Sequence, residues 1–296
     1  MTKSVTYTVR KNKVPQKSIG EPFFCDEVED KKCVLIVPEG GLMAKVKISG
    51  KKENGLTKKN GSIIKEYSRE ARNRMRQELM SVDYEKNGLP VFYTLTYPGE
   101  YPRNPEKWKN DLRVLDMRMR RKMPEYAMQW KIEEQKRGAP HFCGLIWHAP
   151  WLITREGKKW FSRQWYEVVG SGDLRHLKAG TGLERVKNLK QIINYVAKYV
   201  SKNDQTFDYP VGRYWGWKNK AKLEIVKNEI EIGEKVAYGI KRVMKRSITK
   251  NNKMNIVNRI LNHKRVGLWA QWDNKTTYDV LTMAEQNEER KSVDMA

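Results

Sequence analysis

The sequence predicts an α+β fold in which helices pack against an antiparallel central sheet. Between residues 64 and 220 the predicted elements follow the order helix, strand, helix, strand, strand, helix, strand, helix. The segment LPVFYTLTY at 89–97 is rich in β-branched and aromatic residues and is followed by Pro98, as expected of a strand. Two further strands, AMQWKIEEQ and HFCGLIWH, flank the turn KRGAP. This order is close to a split βαβ arrangement.

Residues 1–63 are predicted to form an N-terminal extension with short strands in CVLIVPEGG and LMAKVKI. GKKENGLTKKNG, at 50–61, is predicted to be a solvated loop. An amphipathic helix is predicted from Ile64 to about Val82 because apolar residues recur there at helical spacing. These residues are Tyr67, Ala71, Met75, Leu79 and Met80.

The remaining core elements follow from the same periodicities. After the loop GEYPRNPEK, a helix is predicted with Trp108, Leu112, Leu115 and Met119 on one face. WFSRQWYEVVG predicts a second helix, LERVK a short strand and LKQIINYVAKYVSK a third helix. We therefore expect a core domain at 64–220. Residues 221–296 are expected to form a basic extension, helical in KVAYGIKRVMKR and NIVNRILNHKR.

The charge of the chain predicts a polyanionic partner. It carries 59 Lys and Arg against 35 Asp and Glu, a formal net charge of +24. Neutralising phosphates releases counterions, so a nucleic acid is favoured over a membrane surface, for which the sequence offers no sustained amphipathic or lipid-anchoring segment. The N-terminal segment does not resemble a secretory signal, and the three cysteines suggest a reducing compartment. The cytoplasm is the expected location.

A candidate metal site lies at the HFC segment. Residues two apart on a strand share a face, so His141 and Cys143 would project together. Glu133 or Glu134 on the neighbouring strand could add a carboxylate oxygen. A histidine with a carboxylate suits a divalent ion that also binds phosphate. A histidine in a strand is, however, often structural.

A candidate nucleophile pair lies in YVAKYVSK. Tyr195 and Tyr199 are four residues apart and would share one face of a helix, with Lys198 and Lys202 nearby. The lysines could hold a phosphate or ease loss of the phenolic proton, since an unperturbed tyrosine has a pKa of about 10. The alternative is that both tyrosines only pack at the edge of the core. Ile192, Ile193, Val196 and Val200 would anchor the helix to the sheet.

FYTLTYP, EEQKRGAPHF and YVAKYVSK occur in this order, and together they resemble the three motifs of HUH-type rolling-circle replication initiators. The likeness is greatest to gene A-type initiators of small single-stranded DNA phages and related plasmid Rep proteins. It covers residues 68–217 and implies a ferredoxin- or RRM-like HUH nuclease core. In that family the motifs are hydrophobic-T-L-T, R-G-x-P-H-x-H and Y-x-x-x-Y-x-x-K.

The resemblance assigns roles to matching residues. His141 is similar to the first metal-binding histidine and Glu133, two before Gln135, to the acidic ligand. Tyr195 and Tyr199 resemble the paired nucleophiles, and Lys198 and Lys202 the accompanying lysines. Thr94 and Thr96 match the first motif, whose role is structural or DNA-facing.

Position 143 departs from the family pattern, because Cys143 stands where the second histidine is expected. The implied cofactor is Mn²⁺ or Mg²⁺, and Cys143 makes Zn²⁺ possible because thiolate is a soft ligand. Cys143 could ligate, could leave a one-histidine site, or could mark an impaired enzyme. His148 lies at the wrong strand parity to replace it simply.

The resemblance implies a DNA nickase and strand transferase that forms a 5′-phosphotyrosine intermediate. Its expected partners are single-stranded DNA at the nick, adjacent duplex or hairpin origin DNA, and a host helicase and polymerase in a phage- or plasmid-bearing prokaryote. The alternatives are a non-catalytic or impaired nucleic-acid-binding protein, a relaxase or HUH transposase, and a structural protein. Candidates for stacking on bases are Tyr97, Tyr101, Trp130 and Trp147.

Overall fold

The computed structural model describes residues 32–40, 42–48, 64, 66–201, 207–249, 268–270 and 274–293. The strands are β1 Cys33–Pro38, β2 Ala44–Ile48, β3 Val91–Thr96, β4 Ala127–Glu134, β5 Pro140–Trp147, β6 Thr181–Arg185, β7 Trp215–Lys218, β8 Lys227–Ile232 and β9 Leu268–Ala270. The helices are α1 Arg69–Met80, α2 Pro105–Lys122, α3 Arg155–Val169, α4 Leu174–Ala179, α5 Leu189–Ser201, α6 Glu234–Thr249 and α7 Asn274–Val293. Two antiparallel sheets with helices confirm the predicted α+β class.

The larger sheet has five strands in the order β6-β3-β5-β4-β7. Along the chain, β3, α2, β4, β5, α3 and β6 give the predicted split βαβ arrangement. The fifth strand, β7, pairs with β4 at the edge. The sequence analysis did not predict β7, which lies just before the expected C-terminal extension.

One face of this sheet packs on α2 and α3. Trp108, Leu112, Leu115 and Met119 of α2 are buried, as their spacing predicts. From α3, Phe161 and Trp165 make edge-to-face ring contacts with aromatic residues of the sheet region, with centroids 6.4 Å (Tyr93), 5.3 Å (Tyr97) and 6.2 Å (Phe142) apart. Such pairs add to the stabilisation from buried apolar area. This helix layer occupies one face and leaves the opposite face for other elements.

The smaller sheet has the order β8-β1-β2-β9 and combines segments from both ends of the chain. β1 and β2 come from the predicted N-terminal extension, and β8 and β9 from the predicted C-terminal one. Alternate residues of β1 and β2 form an apolar cluster with α6 and α7. The cluster includes Leu35, Val37, Val46, Ile48, Ala237, Ile240, Leu281 and Ala284. The two extensions thus share one hydrophobic core.

The boundaries of two elements differ from the prediction. α1 begins at Arg69, because Ser68 caps it by accepting a hydrogen bond from the Ala71 amide. β6 covers Thr181–Arg185 and so begins before LERVK. The predicted loop at 50–61 and the predicted helix in NIVNRILNHKR lie outside the described residues. Among the helices that the structure does describe, none is long and apolar enough to cross a membrane.

Candidate functional site

The predicted site residues of β4 and β5 share one face of the five-stranded sheet. His141 lies opposite Thr96 of β3 and opposite Glu133 of β4. Cys143 lies opposite Thr94 and Lys131 in the next row. A third row contains Phe92, Leu145 and Gln129. Because strand side chains alternate, these nine residues point away from the α2 and α3 layer, and we call them the site face.

Strand parity separates the two glutamates. Glu133 is paired directly with His141, whereas Glu134 is paired with Pro140 and belongs to the opposite parity. Glu133 is buried, and Glu134 is only partly buried. The structure therefore brings Glu133, His141 and Cys143 onto the same side of the sheet and leaves Glu134 on the other side.

Lys131 is a site-face residue that the sequence analysis missed. Its Nζ lies 2.6 Å from Oε1 of Glu133, and the two side chains are only 2% and 9% exposed. The same ammonium lies 5.1 Å from the centroid of the Tyr67 ring. The available signal was strand alternation, since residues 131 and 133 have the same parity. A lysine next to two glutamates is ordinarily assigned to solvent.

Tyr67, just before α1, covers this part of the site face. Its hydroxyl donates to Sδ of Met75 at 3.2 Å, and its ring stacks on Tyr214 with centroids 5.7 Å apart. Burial raises the pKa of Tyr67 well above its ordinary value. Arg72 opposes the shift, and the charges of Cys143 and Glu133 add to it. Tyr67 is therefore held as a neutral phenol close to the predicted metal ligands.

Tyr195 extends from α5 onto the site face. Its ring packs against Phe92 with centroids 5.0 Å apart, and its hydroxyl lies 3.4 Å from Oε1 of Gln129. Ile192 and Val196 are buried, so α5 is anchored by the predicted apolar residues. Gln129 and Glu133 are four residues apart on β4, a separation of about 13 Å at strand spacing. Tyr195 thus shares the face of His141 but contacts a different row.

The other predicted residues of this motif are described only in part. Tyr199 and Lys198 belong to α5, and their side chains lie outside the described residues, as does all of Lys202. Tyr199 follows Tyr195 by one helical turn, about 6 Å along the axis. The structure therefore places one of the two predicted nucleophiles at side-chain level. The roles of Tyr199, Lys198 and Lys202 stay predictions.

The turn before His141 is fastened to the loop after β3 by Arg137. Its guanidinium donates to the carbonyl oxygens of Tyr97 at 2.6 Å, Pro98 at 2.7 Å and Gly99 at 3.2 Å. It also lies 5.4 Å from the centroid of the Tyr101 ring. The arginine of the R-G-x-P-H motif thus joins two of the three motifs. This contact explains an arginine there without assigning it to the reaction.

Thr96 and His148 have structural roles in this geometry. The hydroxyl of Thr96 donates to the carbonyl oxygen of Gly180 at 3.1 Å, which ties β3 to the segment before β6. His148 lies beyond the distal end of β5, with Nδ1 3.2 Å from the carbonyl oxygen of Glu125. It is therefore far along the strand from His141 and does not replace the histidine expected at position 143.

Three of the four predicted base-stacking residues are wrong. Tyr97, Trp130 and Trp147 are buried in the main core and present no free ring face to DNA. Tyr101 is partly exposed in the loop after β3, beside Arg137. The error has a general cause, because aromatic residues in strands supply apolar area to both faces of a sheet that is covered by helices.

The predicted ligand set does not form a ready metal site. Among the residues that the structure describes, no three or more His, Cys, Asp or Glu side chains are grouped closely enough to hold a metal ion. Glu133 instead has the ammonium of Lys131 at 2.6 Å. These residues therefore do not fit a three-ligand centre in this arrangement. The divalent cofactor stays a prediction, and no step proposed below depends on it.

Comparison with protein families connects this face to DNA replication. Residues 90–204 match the family model for Replication-associated protein ORF2. The matched segment of this replication-associated family runs from β3 through α5 and includes all three sequence motifs. The match supports a replication initiator, and such a family implies DNA binding at an origin. Neither the curated proteins nor the solved structures give a significant match.

Proposed function

We propose that this chain initiates rolling-circle replication by nicking and rejoining single-stranded DNA through a phosphotyrosine intermediate. The observation that carries the proposal is that Tyr195 of α5 lies on the same sheet face as His141, Cys143 and Glu133. The match at 90–204 supports it, because this segment contains those residues together with Tyr199. A purely structural pair of tyrosines would not require this common face.

The proposed chemistry is an in-line phosphoryl transfer. The phenol oxygen of one tyrosine attacks the scissile phosphorus as its proton leaves, and the bond from phosphorus to the 3′ oxygen breaks. The products are a 5′-phosphotyrosine and a 3′-hydroxyl, which takes up a proton and primes a polymerase. The reverse attack by a 3′-hydroxyl reseals the strand without ATP, since the phosphodiester energy is retained. The second tyrosine allows a second cleavage while the first still holds DNA.

Specific residues would assist this step. The amide oxygen of Gln129 can accept a hydrogen bond from the Tyr195 hydroxyl and so orient it toward the strand. His141 is only partly buried, so an imidazole N–H can donate to a phosphate oxygen. Lys198 and Lys202 are proposed to hold phosphate or to favour the phenolate. The net charge of +24 supports binding of duplex or hairpin origin DNA next to the nick.

The test is adduct formation under denaturing conditions. The full chain is incubated with labelled single-stranded oligonucleotides that tile the element encoding it, in separate reactions with Mn²⁺, Mg²⁺, Zn²⁺ or EDTA. The wild type is compared with Tyr195→Phe, Tyr199→Phe and the double variant. Tyr166→Phe is the matched control, because Tyr166 is a partly buried helix tyrosine on α3, away from the site face.

A protease-sensitive adduct that survives detergent and is absent in the double variant supports the proposal. An adduct that persists in the double variant refutes the nucleophile assignment. No adduct under any condition, together with tight native binding to DNA, favours the alternative of a non-catalytic or impaired DNA-binding protein. Cleavage only at the ends of a mobile element would favour a transposase, and cleavage at a transfer origin a relaxase.

A further inference from the structure

The Lys131 and Glu133 pair lies at the centre of the predicted ligand set. Glu133 is directly opposite His141, and Lys131 is directly opposite Cys143, so the ion pair and the two predicted β5 ligands occupy adjacent rows. Both charged side chains are nearly inaccessible to water. A buried charge without a partner is strongly unfavourable, so each of these groups requires a counterion. Each supplies the other's counterion at 2.6 Å.

The identity of residue 143 bears on the space available to Lys131. Side chains that face each other directly across an antiparallel pair have Cβ atoms about 4.5–5.5 Å apart. A thiol at Cys143 is much smaller than an imidazole. The Lys131 chain reaches from this row to the carboxylate of the next one and also approaches the Tyr67 ring. An imidazole at 143 would compete with that path.

We propose that Lys131 is the resident cation of this site: its ammonium takes the place beside Glu133 that a divalent ion would need, and Cys143 makes room for it. The inference rests on the proposed function only for its catalytic consequence. The pairing itself comes from the sheet register, the 2.6 Å contact and the burial of both groups. Lys131 acts through Glu133 and is a positioning residue.

Two consequences follow for the native chain. Glu133 is committed to Lys131, so manganese binding should not depend on Glu133. Restoring a histidine at position 143 should not by itself create a metal site, because the ammonium remains beside the carboxylate. Removing Lys131 releases Glu133, which then lies opposite His141 with a strong tendency to recruit a cation.

The experiment measures binding of Mn²⁺ alone to the full chain, without DNA, by electron paramagnetic resonance of the free ion. Thermal unfolding with and without Mn²⁺ is measured in parallel. The proteins are the wild type, Glu133→Gln, Lys131→Met, the Lys131→Met/Glu133→Gln double variant and Cys143→His. Lys136→Met is the matched control, because Lys136 is an exposed lysine in the adjoining turn.

We expect Glu133→Gln, Cys143→His and Lys136→Met to bind Mn²⁺ as the wild type does. Lys131→Met should gain one ion at least tenfold more tightly, with a melting temperature that Mn²⁺ raises. The double variant should lose this gain. Folded Lys131→Met with no gain would overturn the proposal. Weaker Mn²⁺ binding in Glu133→Gln, or a new site in Cys143→His alone, would also overturn it, even if Lys131→Met does not fold.

The absence of DNA keeps this test separate from the test of function. Metal binding can follow the expected pattern in a chain that forms no adduct, in which case the proposed nicking activity fails alone. Conversely, a chain that forms adducts but binds Mn²⁺ through Glu133 retains its activity and loses the role proposed for Lys131.

Discussion

The Tyr195 phenol and the Gln129 amide meet across the space between α5 and the site face, with oxygen atoms 3.4 Å apart. This is a long hydrogen bond and contributes little to stability. The anchoring of α5 comes instead from Ile192 and Val196, which are buried. The hydroxyl can therefore be tested for chemistry without disturbing the helix that carries it.

We expect Tyr195→Phe to lower the yield of covalent adduct at least tenfold in a Tyr199→Phe background. The free energy of unfolding should change by no more than about 0.5 kcal/mol, because the ring and its contact with Phe92 remain. Denaturing gels give the yield, and urea titration gives the stability. A loss of several kcal/mol with a proportional loss of adduct would instead indicate a packing role. Tyr166→Phe should leave both quantities unchanged.

Arg137→Ala should destabilise the protein by about 1 kcal/mol. The substitution removes donors to three carbonyl oxygens in the loop after β3, and the discount from a larger value reflects the exposed position of Arg137. Urea titration measures the change. Arg121→Ala, on the exposed side of α2, is the control and should be neutral. If both variants behave alike, the tie between the two motifs has no energetic weight.

Gly144→Ala should destabilise the chain by about 1–3 kcal/mol through overpacking. A Cβ at Gly144 would lie 2.0 Å from the Gln129 carbonyl oxygen and 2.9 Å from the Tyr93 ring. The strand would have to shift under the contact between Gln129 and Tyr195, so the adduct yield should also fall. Thermal unfolding tests this. Gly99→Ala is the control, since its Cβ would meet nothing within 4 Å. Equal melting temperatures would contradict the packing argument.

The sheet was predictable where local pattern and burial agree. β3 and α2 follow from period-2 and helical spacing, because each buries one face against the same core. β7 was missed because its four residues include Gly216, whose place in the sheet depends on contact with the Trp130 indole. β8 has the charged sequence KNEIEI and pairs with β1, far away in the chain. Such pairings are not encoded locally.

The site was predictable to the same extent. Strand alternation places His141, Cys143 and Glu133 on one face, and the sheet register agrees. The burial of Lys131 was not predictable, since it depends on coverage by Tyr67 from a distant segment. The same coverage misled the stacking prediction, because aromatic residues on both faces of β4 and β5 are covered by helices. Alternation therefore identifies which residues share a face but not which of them reach solvent.

The buried tyrosines predict loss of stability at alkaline pH. Burial is the main cause that raises the pKa of five phenols above the ordinary value, with Asp111 and Asp116 adding to the shift at Tyr97 and Tyr126 respectively. These phenols are Tyr67, Tyr84, Tyr93, Tyr97 and Tyr126. The folded state keeps them protonated, whereas the unfolded chain releases their protons near pH 10. Their contribution is complete below about pH 10 and is lost as the pH rises further.

Each such group can lower the free energy of unfolding by up to about 1.4 kcal/mol per pH unit above that point. Denaturant titrations over an alkaline pH series measure the slope, and ultraviolet absorbance reports the phenolate. Tyr84→Phe should reduce the slope by one group's share, although it also removes the 2.8 Å hydrogen bond to the Leu79 carbonyl oxygen. Phenolate absorbance that rises in step with unfolding supports this account. Full ionisation in a chain that is still folded would contradict it, since buried phenols cannot ionise without solvent.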